Sequence, residues 1–112
     1  MSQLQQNARF FKALSEPVRL RILNLLLHSE NEICVCSLMD VLDVPQSVVS
    51  RHLAYLRKAE IVQSRRDRVW MHYSLHNQLP AMERAILNEL KSNSLQDPQL
   101  KDDLTKLDCT LC

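Results

Sequence analysis

Gln46-Ser47-Val48-Val49-Ser50-Arg51-His52-Leu53, continued by Ala54-Tyr55-Leu56-Arg57-Lys58, decides the fold. Val49, Leu53 and Leu56 recur at i, i+4 and i+7, the spacing of one buried face of a helix over residues 46–58. Ser47, Ser50, Arg51, Ala54, Arg57 and Lys58 fall on its other faces. Just upstream, Asp43-Val44-Pro45 reads as a tight connection, because Pro45 cannot continue a preceding helix. Before that turn, a helix from about residue 34 to residue 42 offers Leu38, Val41 and Leu42 to the same core. Two short helices joined by a few residues, the second polar and basic outside, match a helix-turn-helix.

Downstream the period shortens. Ile61 to Arg66 and Val69 to Leu75 read as two strands around Asp67-Arg68, a hairpin whose turn has Asp but no Gly. Its tip should be mobile or strained, and Arg65, Arg66 and Arg68 surround it. A helix-turn-helix followed by a basic hairpin is a winged helix, with the wing set to touch phosphate or the minor groove. The expected fold class is therefore mainly α with a β-hairpin wing.

The flanks supply the remaining core. Residues 3–14 repeat apolar side chains at Leu4, Ala8, Phe11 and Leu14, with Phe10 and Ala13 beside them. Ser15-Glu16-Pro17 is a fresh helix start: Ser15 as cap, Glu16 at the positive end and Pro17 in the first turn. The helix over 16–28 carries Val18, Ile22, Leu25 and Leu26 as its buried stripe, widened by Leu20, Leu23 and Leu27. A helix over about 79–92 has an apolar face wider than a small domain needs, from Leu79, Met82, Ala85, Ile86, Leu87 and Leu90. With the first helix it reads as a homodimer interface. Residues 1–93 form the DNA-binding and dimerisation domain, and 94–112 a tail. That tail is either a short amphipathic helix (Leu100, Leu104, Leu107) or a frayed terminus.

The chain has 112 residues, 46% hydrophobic, with no glycine and a net charge of +1. One domain of this size gains from dimerisation, because it buries only about two-thirds of its unfolded surface. The net charge says little and its distribution more: residues 51–73 carry six basic side chains against two acidic ones, between flanks of −1 and −2. A basic patch between acidic flanks suits a phosphate backbone, although charge alone equally suits a solvated helix face. The N-terminal residues do not read as a signal peptide, and no apolar run approaches a membrane span. A cytoplasmic location with reduced thiols, and no membrane partner, is the expectation.

Four cysteines remain: Cys34 and Cys36, and Cys109 and Cys112 at the end. Reduced cysteines are ligands or redox switches more often than a disulfide framework. In a regular helix, positions i and i+2 point about 200° apart. In extended or first-turn geometry they converge. One ion bound by both thiolates should therefore distort the start of the helix over 34–42, and with it the element holding the DNA reader. Thiolates are soft ligands and favour thiophilic species. The spacing is not the C-x₂-C of structural zinc, and His28, His52, His72 and His76 are scattered. Two small buried residues would look the same in sequence. The terminal C-x-x-C lacks the strand and helix a redox motif needs, and stands as a source of a third ligand or as exposed thiols.

Phe11 to Ile22, Glu32-Ile33-Cys34-Val35-Cys36, Ser50-Arg51-His52-Leu53 and Val69 to Leu75 together resemble the ArsR/SmtB family of bacterial metal- and metalloid-responsive repressors, over roughly residues 8–92. Within it, the chain is most similar to the arsenic repressors. The resemblance implies a homodimeric winged helix that binds an inverted-repeat operator in double-stranded DNA and lets go when As(III) or Sb(III) binds. It implies no permanently bound cofactor and no catalysis. Carried over residue by residue, Cys34 and Cys36 become metalloid ligands. Gln46, Ser47, Ser50, Arg51 and His52 read bases and phosphates, and Arg57, Lys58, Arg65, Arg66 and Arg68 hold the backbone.

Two departures stand out. The best-known arsenic repressors place a third Cys where this chain has Met39, so a third ligand would come from Cys109 or Cys112 of either subunit, from a small thiol, or not from the protein. The family's usual Ser is Pro45 here, and the wing lacks Gly. The zinc site of other members is not evident in the helix over 79–92, which offers only Glu83 and Glu89. Thiol oxidation, persulfidation, or Cd, Pb or Zn binding are the alternative triggers on the same fold. A small thiol oxidoreductase or arsenate reductase is the alternative of another class, and it lacks an oxyanion loop.

Overall fold

The reader helix keeps its sequence register: Val49, Leu53 and Leu56 are fully buried in the computed structural model, which describes residues 1–108. In chain order the elements are α1 (Gln3–Leu14), α2 (Pro17–His28), β1 (Ile33–Cys34), α3 (Val35–Leu42), α4 (Gln46–Lys58), β2 (Val62–Asp67), β3 (Trp70–Leu75), α5 (Ala81–Asn93) and α6 (Pro98–Asp108). A single 3₁₀ turn at Ser94–Gln96 joins the last two helices.

Helix starts follow local chemistry. Ser2 and Gln5 form a reciprocal capping box on α1. At α2 the cap is Glu16, whose carboxylate accepts from the Arg19 amide at 2.8 Å, and Pro17 occupies the first turn. Ser15, expected as that cap, instead closes α1: its hydroxyl donates to the Lys12 carbonyl at 2.8 Å.

The stripe assigned to α1 is displaced. Phe10 and Ala13 are buried, whereas Leu4 and Phe11 are exposed. Apolar side chains occupy two faces of this helix, and only one faces its own core. In α2 the stripe is broader than a surface helix needs, with Ile22, Leu23, Leu25 and Leu26 all buried. These residues meet Leu38 and Val41 of α3, the inner face of α4, Ile61, Val62, Tyr73 and Leu87 in one core.

Three turns that would suit glycine are made without it. Asp43 (φ 54°) ends α3, Glu60 (φ 60°) leads α4 into β2, and Arg68 (φ 60°) turns the hairpin. Each holds a left-handed backbone that glycine would adopt without a Cβ clash. The hairpin pairs Val62 with Leu75 through to Asp67 with Trp70, leaving Arg68-Val69 as a two-residue turn.

The sheet has a third strand that helical or alternating periodicity does not reveal. Its order is β1-β3-β2, and the two residues of β1 pair antiparallel with β3, Ile33 with Tyr73 and Cys34 with His72. The tail is a docked helix. Asp103 of α6 is fully buried and accepts from Arg21 Nε and Nη2, both at 2.9 Å, while Gln99 Nε2 donates to it at 2.9 Å. That hydrogen bonding raises the Arg21 pKa further above its ordinary value.

Candidate nucleic-acid interface and thiol site

Because Val49, Leu53 and Leu56 fix which side of α4 faces inward, the opposite side is presented to solvent. Gln46, Ser47, Ser50, Arg51, Arg57 and Lys58 are all exposed there. Arg57 and Lys58 occupy the last turn, where basic residues also complement the helix dipole. Pro45 caps the start without a side-chain acceptor, so the first amides of α4 keep no such partner from their own cap.

His52 does not join that face. Its side chain is only 13% exposed, with Nδ1 3.3 Å from Arg19 Nη1 and 3.8 Å from a Glu16 carboxylate oxygen. Arg19 lies over the Tyr55 ring at 4.1 Å and donates to the Ala13 and Lys12 carbonyls at 2.8 and 3.2 Å. These contacts hold the ring between α4 and the α1–α2 junction, away from the exposed face on which a base-reading His52 was expected.

The wing arginines are exposed, but two are engaged. Arg65 donates through Nε to both Glu32 oxygens, at 2.9 and 3.2 Å, and its Nη2 lies 2.9 Å from Oε1. Arg66 Nε donates to the Arg68 carbonyl at 3.1 Å. Arg68 itself sits at the strained tip. The Glu32–Arg65 clasp escaped the sequence reading. Its only signal was opposite charge across 33 residues, which no local periodicity encodes.

Cys34 belongs to β1 and is the N-cap of α3, with extended backbone at φ −68° and ψ 143°. Cys36 lies one residue inside the helix. The two sulfurs approach to 2.8 Å, with Cys34 buried and Cys36 half-buried. The extended backbone at Cys34 is the geometry in which the two sulfurs were expected to converge. The strand-to-helix junction already makes them converge. Cysteine sulfurs are soft donors and suit a thiophilic ion. Met39 packs partly buried against the core. Among the described residues, no group of three or more His, Cys, Asp or Glu side chains could hold a metal ion. Cys109 and Cys112 lie outside the described residues.

Beside Cys34 opens a cavity of about 300 Å³, bordered by Asn31, Glu32, Ser37, His72 and Leu107. Leu107 comes from the last turn of α6, so this helix borders the same cavity as Cys34. In α5, Glu83 is buried and Glu89 exposed. Burial pushes the Glu83 carboxyl up, with Arg9 opposing and Glu60 reinforcing.

Comparison with known proteins fits this arrangement. Residues 16–64 match the family described as bacterial regulatory protein, arsR family. The arsenic resistance transcriptional regulator ArsR1 of Pseudomonas putida is 43% identical over 77 residues, covering 69% of this chain and 59% of that protein's length. The arsenical resistance operon repressor of Escherichia coli is 41% identical over 81 residues, covering 72% of this chain and 68% of that one. Among solved structures, HlyU from Vibrio cholerae superposes with a TM-score of 0.72 at 30% identity, over 86% of this chain and all of that one. Family and fold are those of regulators rather than enzymes. The chain belongs to the ArsR family of DNA-binding transcriptional regulators, built on the winged helix-turn-helix.

Proposed function

We propose that this protein is a repressor that, as a homodimer, holds an inverted-repeat operator and releases it when As(III) or Sb(III) binds Cys34 and Cys36. The observation that carries the reading is the 2.8 Å approach of the two sulfurs at the N-cap of α3. The kinship with arsenic-resistance regulators supports the choice of ion. Arsenous acid would exchange its hydroxyls for thiolates, each thiol proton leaving with a hydroxyl as water. Two protein thiols would leave one position on arsenic, for which the tail cysteines Cys109 and Cys112 are the candidates. Operator DNA and a protein that regulates it belong in the cytoplasm. Among the described residues, no helix is long and apolar enough to cross a membrane.

In the free state, α4 would enter the major groove with Gln46, Ser47, Ser50 and Arg51 on bases and phosphates. Arg57, Lys58, Arg65, Arg66 and Arg68 would grip the backbone. Exposed Leu4 and Phe11 on α1 and Met82 on α5, with a shallow depression around Ala85, Ile86 and Leu90, supply an apolar surface for the second subunit. The signal would travel two ways. Helix α3 leads directly into the turn before α4. Strand β1 carries Cys34 on the same sheet as the wing, so ligation at Cys34 also pulls on β3.

The test is arsenite titration of the operator complex under strict reduction, for the wild type, Cys34→Ser, Cys36→Ser and a chain ending before Cys109. Release from the wild type, lost in both single variants, is the expected result. A wild type that holds DNA under arsenite but lets go on mild oxidation would replace this reading with a thiol-redox trigger, which the short sulfur contact also permits.

A further inference from the structure

We infer that Trp70, with Val69 beside it, is an apolar wedge that the wing sets into the minor groove beside each half-site, where it opens a base step that α4 does not touch. This rests on the reading of α4 and the wing as the DNA-binding surface, and it is independent of the thiols.

The hairpin tip exposes apolar surface that the fold does not use. Val69 is 77% exposed and Trp70, the chain's one tryptophan, 51%. Met71, Tyr73 and Leu75 of the same strand pack on the core. Side chains alternate along a strand, so Trp70 lies on the opposite face. Leu4, Phe11 and Met82 are exposed as well, but they belong to the helices assigned to the second subunit.

The indole is presented from a braced support. Trp70 pairs with Asp67 at the end of the hairpin ladder. Arg68 turns the tip at φ 60°, and its carbonyl accepts from Arg66 Nε at 3.1 Å. Only residues 59–61 separate α4 from β2, and Ala59 and Ile61 among them are buried. The wing is therefore held in a set relation to the reader helix.

Charge selects the partner. Arg65, Arg66 and Arg68 are exposed around the apolar pair, against the single acid Asp67. A flat apolar side chain rimmed by guanidinium groups fits a surface with phosphates at its edges and sugars and base edges between them. Proteins of the minor groove insert apolar side chains at base steps, partly unstack them and bend the duplex. Pyrimidine–purine steps yield most easily. Trp70 thus reads deformability, at a position flanking the bases that face α4.

The experiment uses the full chain and duplexes selected in vitro from random-sequence DNA by the wild type. The selected duplexes should share a pyrimidine–purine step flanking each half-site. With one tryptophan, indole emission reports the wedge directly: it should be quenched on binding and become protected from acrylamide. Trp70→Ala should bind about tenfold more weakly, as for the loss of one aromatic stacked on a base. Its salt slope should not change, because no charge is lost. A repeated selection with this variant should no longer favour the flexible step, and Trp70→Phe should keep most of the affinity. An unmoved denaturation midpoint separates a lost contact from a damaged wing.

An indole still open to acrylamide in the DNA complex would overturn the inference, and so would wild-type affinity and step preference in Trp70→Ala. Weaker binding by Arg66→Ala in that case would leave the wing on DNA, whereas unchanged binding there would remove the wing reading too. An indole protected by phosphatidylglycerol vesicles but not by DNA would overturn it in favour of a membrane surface.

Discussion

The Glu32 carboxylate grips the Arg65 guanidinium through contacts of 2.9 and 3.2 Å, two residues before Cys34 on one side and in the wing on the other. On the proposed DNA-binding role of Arg65, an acid so placed would compete with phosphate for the same arginine. Glu32→Gln should therefore raise operator affinity at low salt. The pair is exposed, so the gain should be about two- to fivefold, within the ~1 kcal/mol range of surface pairs. The salt slope should steepen by about one, as expected for one added phosphate contact. Fluorescence anisotropy across a salt series checks both, and a variant with unchanged slope would show that Arg65 already reaches the DNA.

The exposed face of α4 separates readers from braces. Arg51→Ala should lose about 1–3 kcal/mol of operator binding and relax base preference at one position, if Arg51 makes a bidentate base contact. Arg66→Ala should lower affinity evenly across sequences and reduce the salt slope by about one. His52→Ala should act differently. Its contacts with Arg19 and Glu16 are internal. The expected outcome is a loss of about 1 kcal/mol in stability with base preference kept. Binding to single-base operator variants, alongside chemical denaturation, distinguishes the three.

Glu60 holds a left-handed backbone between α4 and β2. Relieving that clash with Glu60→Gly should stabilise the fold by about 0.5–1 kcal/mol after glycine's extra entropy loss. The denaturation midpoint should rise while its slope stays constant. A lower midpoint would mean that the Glu60 side chain contributes more than its backbone costs.

Glu83 gives stability a pH dependence. It faces Arg9 from α1, with Glu60 and His76 bordering the same cleft, and burial raises its pKa above 4.5. The folded state then holds its proton longer than the unfolded chain. Stability from this group is complete below about pH 4.5, is lost as pH rises through the folded pKa, and is level beyond it. Glu83→Gln should flatten that part of the curve and be the more stable protein at neutral pH. Denaturation at several pH values measures it, and parallel curves for both proteins would assign the dependence elsewhere.

Local signals made the frame legible. The i, i+4, i+7 spacing in α4, the proline before it and the alternating hairpin each act within one element. What stayed hidden depends on contacts between distant residues. A two-residue strand has no period, so β1 and its pairing with β3 could not be read. In α1, Phe10 and Phe11 are both apolar, and only the assembled core decides that Phe10 turns inward. Arg21 and Asp103 are 82 residues apart, which hid the seating of the tail. The thiol pair was legible as residues, but its convergence depended on the strand-to-helix junction at Cys34.

Arg19 has a consequence for the DNA itself. One guanidinium is bonded to the end of α1, meets His52 and lies over Tyr55 of α4. If α1 joins the two subunits, this side chain acts as the screw of a calliper, fixing the gap between the two reader helices. Operators read by such a dimer would repeat at one helical turn, about 34 Å, or a multiple of it. The instrument should then reject half-sites moved by even a few base pairs, whatever their sequence.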